Sequence, residues 1–428
     1  LTPFTTRPEL AGTFGAVAST HWIATSVGMK LLEAGGNAFD AATAAGFVMQ
    51  IVEPHLSGPA GDAPILAARY DDAEPTVICG QGGAPAHASL RRFEDLGLDL
   101  IPGTGSLAPC VPGAFGAWLT LLRDWGTVSL RAALEPAIGY ALHGHPIHFG
   151  AVDTIRSVRS LFKREWATSA TVFLPGGEPP VAGALFSNRA VGELYGDIVH
   201  HAEAASGDRF GQIEAALRYW YEGPIADEIG RFVQSTDVFD VSGRRHRGLL
   251  TPDDMSGWRP PIERPANVDY RGHTVFKCGP WSQGPALLQA LKILQRHDIG
   301  ALDDEGPEFI HLVTEVLKLA LADRDAWYGD DPSVPLERLL SDDYADERSK
   351  LITTSASLEL RPGSPDGRPP VLPEKRIPTT AQTMAAPGGG EPTFARVGGV
   401  KGDTCHVDVV DRWGNMVSAT PSGGWLQS

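Results

Sequence analysis

Residues 355 to 400 are rich in Pro, Gly, Ser and Thr and carry almost no hydrophobic pattern, and the chain then changes character within a few residues. After the polar junction Lys401-Gly402-Asp403, the run Thr404-Cys405-His406-Val407-Asp408-Val409-Val410-Asp411 alternates polar and apolar at strand period. Arg412-Trp413-Gly414-Asn415 turns, and Met416 to Thr420 starts a returning strand. A lone hairpin is marginally stable in water, so its sheet must be completed by other strands, from earlier in the chain or from beyond Ser428. If the partners come from earlier in the chain, the fold has to thread late residues among early ones.

Early strands are on offer. Ala16 to Thr20 is strand-like, as are Ile65 to Tyr70 and Thr76 to Cys79, joined by the acidic turn Asp71-Asp72. Ile23 to Ala34 has helical spacing and stops at Gly35-Gly36-Asn37, and Asp40 can cap a second helix running to Val52. Pro54 to Pro64 is a glycine- and proline-rich loop. Helical periodicity marks 114–125, 130–143, 212–221, 224–234, 286–295 and 309–327, with a strand at 273–277 and a short capped helix opening at Thr251.

Composition narrows the function. With 36 basic and 52 acidic residues the net charge is −16, which argues against binding nucleic acid through its phosphates. No apolar run approaches the roughly 20 residues that cross a bilayer, and the start of the sequence lacks a signal-peptide pattern, so a soluble cytoplasmic location is the default expectation. Cys79, Cys110, Cys278 and Cys405 are widely spaced and form no CxxC pair, which reads as scattered thiols. Gly12-Thr13-Phe14-Gly15 and Gly103-Thr104-Gly105 lack phosphate-loop spacing. His143, His145 and His148 have no nearby carboxylate cluster, and the pair His311 and Glu315 reads as packing, so neither metal nor cofactor is expected.

Thr404 stands apart. Cleaving the Asp403–Thr404 bond would free an α-amine beside a hydroxyl. Such an amine has a pKa of roughly 7.7–8.0 and can serve as the base for its own side chain.

Ordered blocks along nearly the whole chain resemble the γ-glutamyltransferase family of self-processing N-terminal nucleophile hydrolases. They include Ser19-Thr20-His21, Leu31 through Ala42, Val52-Glu53-Pro54 with the glycine loop to Gly61, and Val111-Pro112-Gly113. Leu134-Glu135-Pro136-Ala137, His311 through Arg324 and Asp403-Thr404-Cys405-His406 continue the series. The resemblance implies an α+β, four-layer αββα sandwich in which a large segment 1–403 and a small segment opening at 404–428 share one interleaved domain. Residues 355–403 would form a mobile linker ahead of the cleavage site. The two processed segments would stay associated around a small-molecule amide substrate, with homodimerisation left open and neither nucleic acid nor membrane as partner.

Carried over, Asp403 and Thr404 form the autocleavage site and Thr404 is the nucleophile. Ser422 falls where the family has a supporting threonine, with Thr420 two residues earlier on the same strand face. The departures shape the substrate expectation. In Cys79-Gly80-Gln81-Gly82-Gly83-Ala84-Pro85, Gln81 replaces the arginine that grips a γ-glutamyl carboxylate, and glutamine cannot make that bidentate charged pair. Gly424 replaces an asparagine, and Trp425 with Leu426 suggests a more apolar pocket, so Gln81, Gly82, Gly424 and Trp425 are the expected substrate contacts. The motif resembles the subgroup of cephalosporin-type acylases and oxamate-type amidohydrolases, which implies an amide hydrolase with weak or no γ-glutamyl transfer. Three alternatives remain: γ-glutamyl chemistry with another cation such as Arg69 as the grip, carbon–carbon bond hydrolysis as in homologues from alkylproline antibiotic pathways, and an unprocessed relative with a binding role.

Overall fold

A computed structural model describes residues 9–372 and 404–423. Asp403, Gly424, Trp425 and Leu426, all singled out above, lie outside the described residues. The chain divides into two compact units: the first comprises residues 1–72, 78–262 and 377–428, the second 73–77 and 263–376. The sequence reading had not set 263–376 apart.

In the first unit, β1 (Gly15–Ser19) leads into α1 (Trp22–Glu33) and α2 (Ala38–Val52), followed by β2 (Ala63–Ala68), β3 (Thr76–Gly80), α3 (Ala114–Trp125) and α4 (Leu130–His143). The sheet is completed by β4 (Ile262–Glu263), β5 (Val407–Asp411) and β6 (Met416–Ala419), in the order β1-β5-β6-β2-β3-β4. The late hairpin therefore does what its marginal stability demands. It inserts between two early strands, β5 pairing antiparallel with β1 and β6 antiparallel with β2.

One face of this sheet is buried. Val407, Val409, Val417, Ala419, Ile65 and Ala67 share a core with α2, whose fifteen residues are all buried. A helix apolar on every side can be stable only inside. Its start is fixed by a capping box between Asn37 and Asp40, and Asp411 of β5 accepts from the Ala38 N–H at 2.9 Å. The opposite face carries Asp408, Val410 and Met416, all exposed among the described residues. The described residues thus supply a helical layer and one sheet of the α+β architecture. Helices Phe149–Arg164 and Arg189–Ala205, not marked in the sequence reading, pack in the same unit.

The second unit holds the hairpin Ala266–Tyr270/His273–Lys277, closed by Arg271 and Gly272, both at positive φ as a tight two-residue turn requires. Helices Gly284–Leu294 and Pro307–Trp327 pack through Ile293, Leu312, Val316 and Leu319. Residues 355–372, expected to begin a mobile linker, are tied down here. Arg361 reaches Glu315 at 2.7 Å, and Trp327 Nε1 donates to the Gly363 carbonyl at 3.1 Å. The rest of the expected linker, 373–403, lies outside the described residues.

Candidate active site

Extending the sheet register past the strand ends brings the predicted residues together. Thr404 and Ser422 face each other in an antiparallel bridge, and Ser422 forms a second bridge with Asp62 on its other side. Ser422 N donates to the Asp62 carbonyl at 3.0 Å, and Asp62 N donates to the Ser422 carbonyl at 2.9 Å. Directly opposed residues in a sheet point to the same face, so Thr404, Ser422 and Asp62 form a row across three adjacent chain segments. Gln81, just beyond the end of β3, continues it: its Nε2 donates to Asp62 Oδ2 at 3.5 Å. Among the described residues, the row lies on the face that the helices leave uncovered.

Two glycines make this possible. A Cβ on Gly61 would sit 1.9 Å from the Ser422 carbonyl oxygen, and one on Gly82 would sit 1.7 Å from that of Val111. Neither backbone approach admits a side chain. Gly82 is thus a packing residue that holds Gln81 in the row. Thr420 sits one rung from Ser422 on the same face, and its Oγ1 is 2.9 Å from His406 Nδ1, while His406 Nε2 is 3.0 Å from Asp408.

Arg69 does not join the row. It follows the far end of β2, seven residues from Asp62, or roughly 20 Å along an extended strand. Its guanidinium donates to the Asp124 carbonyl at 3.1 Å and lies 5.9 Å from the Trp125 ring centroid. The grip suggested for it in the γ-glutamyl alternative is ruled out by this placement. A cleft of about 560 Å³ lined by His87, Arg91, Arg92 and Gln234 gathers none of the predicted site residues.

Beneath the row the titratable groups are driven toward neutrality. Burial raises the Glu53 carboxyl, against the bond it accepts from Thr20 Oγ1 at 2.6 Å. Burial, with the nearby Glu53, pushes the Cys405 thiol up to about 12, so the residue beside Thr404 stays a thiol and does not compete as nucleophile. Burial, reinforced by the His148 imidazole, pushes His21 and His55 down to about 4. His21 and His148 spend their Nδ1 atoms as acceptors from Ile23 and Gly150, which caps two helices. Among the described residues, no group of three or more His, Cys, Asp or Glu is arranged to hold a metal.

Sequence reasoning missed Asp62. It had read the Gly61-Asp62 stretch as loop, and only the observed β2–β6 register places Asp62 opposite Ser422.

The α+β sheet whose central hairpin opens at Thr404 has the N-terminal nucleophile hydrolase fold of the solved cephalosporin acylase of Bacillus halodurans, with a TM-score of 0.78 at 27% identity over 99% of this chain and 68% of that one. The gamma-glutamyltranspeptidase family model matches residues 24–428, and the chain belongs to that family. The solved structure of LmbA2991HD superposes with a TM-score of 0.90 at 48% identity, covering 100% of this chain and 70% of that one. The acylase ACY 1 proenzyme of Pseudomonas sp. is 30% identical over 97% of this chain and 66% of its own length. The glutathione hydrolase proenzyme of Bacillus subtilis is 30% identical over 96% of this chain and 64% of its own. The chain spans just under two thirds of these two curated relatives.

Proposed function

We propose that the protein is a self-processing N-terminal threonine hydrolase that cleaves the amide bond of a small molecule, with little γ-glutamyl transfer. The observation that carries this is the register that sets Thr404 opposite Ser422 on the uncovered sheet face. Breaking the 403–404 bond leaves Thr404 with a free α-amine. The amine accepts the hydroxyl proton as Oγ1 attacks the substrate carbonyl, then returns it to the departing amine. Water, activated by the same amine, hydrolyses the ester. Ser422 supports the nucleophile from one rung away. Asp403 supplies the carbonyl that Thr404 attacks during processing.

The acylase and the glutathione hydrolase are equally similar to this chain, so γ-glutamyl hydrolysis is the second reading. Gln81 weighs against it, because a neutral amide in the row cannot pair with the glutamyl carboxylate as a guanidinium would. Intact mass spectrometry tests the proposal. A fragment beginning at Thr404 is expected from the wild-type chain and none from Thr404→Ala. A wild-type chain that stays uncut on prolonged incubation would overturn it.

A further inference from the structure

Three cross-strand pairs line the uncovered face where β5 meets β6: Thr404 with Ser422, His406 with Thr420 and Asp408 with Ser418. All are polar, and the middle pair carries an imidazole that no step of the proposed hydrolysis uses. The backbone bonds fall on the alternate pairs, Cys405 N donating to the Pro421 carbonyl at 3.1 Å. These three pairs are therefore the close, non-hydrogen-bonded ones, whose side chains approach most nearly. His406 is held at both ring nitrogens. Nε2 lies 3.0 Å from Asp408 Oδ1 and 3.5 Å from Ser418 Oγ, and Nδ1 lies 2.9 Å from Thr420 Oγ1. A carboxylate only accepts, so Nε2 carries the ring proton and Nδ1 presents its lone pair to the Thr420 hydroxyl. Among the described residues, Asp408, Thr420 and Ser418 are the side chains within hydrogen-bond reach of the ring. On the other side β1 sets Ala18 opposite Asp408 and the Thr20 N–H on the His406 carbonyl, adding no charge. Carboxylate, imidazole and hydroxyl stand in line, the order in which a hydroxyl gives up its proton.

Self-processing of Thr404, on which this inference rests, has a need that the line of three can meet. In the mature enzyme the α-amine of Thr404 is the base, but before cleavage the same nitrogen is a resonance-delocalised amide and cannot take the hydroxyl proton. We propose that His406 is the proton acceptor of the self-processing step, reached through Thr420 and held by Asp408. Thr420 is the diagonal neighbour of Thr404, roughly 7 Å away, a gap that their two hydroxyls and a bridging water close. The Thr404 proton enters this path as Thr420 gives its own proton to His406 Nδ1. Thr404 Oγ1 bonds to the carbonyl carbon of residue 403, and the C–N bond between residues 403 and 404 breaks. The imidazolium, stabilised by Asp408 in the meantime, returns the proton along the path to the departing nitrogen. The products are an ester at Thr404 Oγ1 and the free α-amine, which then serves as base for the water that opens the ester.

The test follows newly made full chain, from a pulse of cell-free synthesis, by denaturing gel and mass spectrometry. The fragment beginning at Thr404 is expected to appear about a hundredfold more slowly in His406→Asn than in the wild type. Asparagine keeps an acceptor for the Thr420 hydroxyl but cannot take up a proton, so a histidine that only orients Thr420 would not show this loss. Thr420→Val breaks the path and should slow processing to a similar degree. Thr420→Ser keeps the hydroxyl and should process close to the wild-type rate. The double variant His406→Asn/Thr420→Val should be no slower than His406→Asn, because both changes interrupt one path.

A His406→Asn chain that processes at the wild-type rate overturns the proposal and leaves the hydrolase reading standing. If thermal unfolding shows that His406→Asn does not fold, Thr420→Val decides in the same way. Losses that add in the double variant also overturn it, since they would come from two separate contacts. A wild-type chain that stays uncut overturns this proposal and the hydrolase reading together, which tells the two failures apart.

Discussion

Glu315 in the second unit and the groups beneath the row in the first answer burial in opposite ways. In the second, the inward carboxylates of helix Pro307–Trp327 are answered by cations and donors. Glu315 contacts Lys318, accepts from the Ser357 N–H at 3.2 Å and from Arg361 at 2.7 Å. Although burial works against ionisation, these partners hold the Glu315 carboxyl below the usual range. Asp323 accepts from the Gly363 N–H at 2.6 Å, Gln289 at 2.5 Å and Tyr344 at 3.0 Å, and Arg348 Nε lies 3.2 Å away, near enough for an ion pair though not aligned as a hydrogen bond; burial nonetheless outweighs these partners and raises its carboxyl. Beneath the row in the first unit, Glu53, Cys405, His21 and His55 are instead pushed toward their neutral forms. The paired charge of Glu315 fastens Ser357 and Arg361 to a helix. Burial here favours the neutral forms of these groups instead.

The largest effect should come from the point where backbone packing builds the row. Gly61→Ala places a methyl 1.9 Å from the Ser422 carbonyl, which forces the two segments apart at a cost upwards of about 4 kcal/mol. The expected result is an uncut chain by denaturing gel and a much lower melting temperature. Processing at the wild-type rate would mean that the 62–422 bridge does not hold the site.

Next is the second unit's charge. Arg348→Leu leaves a carboxylate in a pocket where its side chain is fully buried, and removing one partner of such a pair costs about 3–5 kcal/mol. Thermal unfolding measures it. Asp323→Asn in the same background should recover part of the loss, because it removes the stranded charge. A double variant no more stable than Arg348→Leu would show that the pair contributes through packing, not through charge.

Ser422→Ala removes a hydroxyl adjacent to the nucleophile while keeping the backbone bridges. One hydrogen bond contributes about 1 kcal/mol, which corresponds to roughly a fivefold to tenfold slower appearance of the fragment starting at Thr404. Time-resolved mass spectrometry reads that rate. An unchanged rate would make Ser422 a bridge residue only.

Much of this was legible before any coordinates. The strand-period alternation after Thr404 announced the hairpin and its need for partner strands, and the family resemblance pointed to the interleaving that β1 and β2 provide. The hydroxyl pair Thr404 and Ser422 was legible as well, because it follows from strand period and resemblance to known motifs. Asp62 was not, since its place depends on a cross-strand register set by residues far apart in sequence. Segment 355–372 misled for a related reason: its composition reads as loop, and what fixes it is two carboxylates on a distant helix, Glu315 and Asp323. Arg69 was misplaced because nearness in sequence to the glycine loop says nothing about which end of a strand a residue occupies.

The most gradual effect, spread over two pH units, separates the two units by pH. His21 and His55 have folded pKa values near 4 against about 6.5 unfolded, so between those values the unfolded chain binds more protons. Their contribution is complete above about pH 6.5 and is lost as pH falls toward 4; solvent screening leaves about 1 kcal/mol each. Glu315 runs on a different window. Its folded pKa is depressed, so its contribution persists above the usual carboxylate range and is lost only as pH falls through the lower folded value. Hydrogen exchange read by mass spectrometry, corrected for intrinsic rate, should therefore show peptides around residues 20–57 losing protection between pH 7 and pH 5. Peptides spanning 310–325 should keep theirs. His21→Asn retains a capping acceptor for Ile23 and removes one of the two titrations, so it should roughly halve the first response and leave the second untouched. If both regions lose protection together over that range, the contrast between neutral burial and paired charge does not govern their stability.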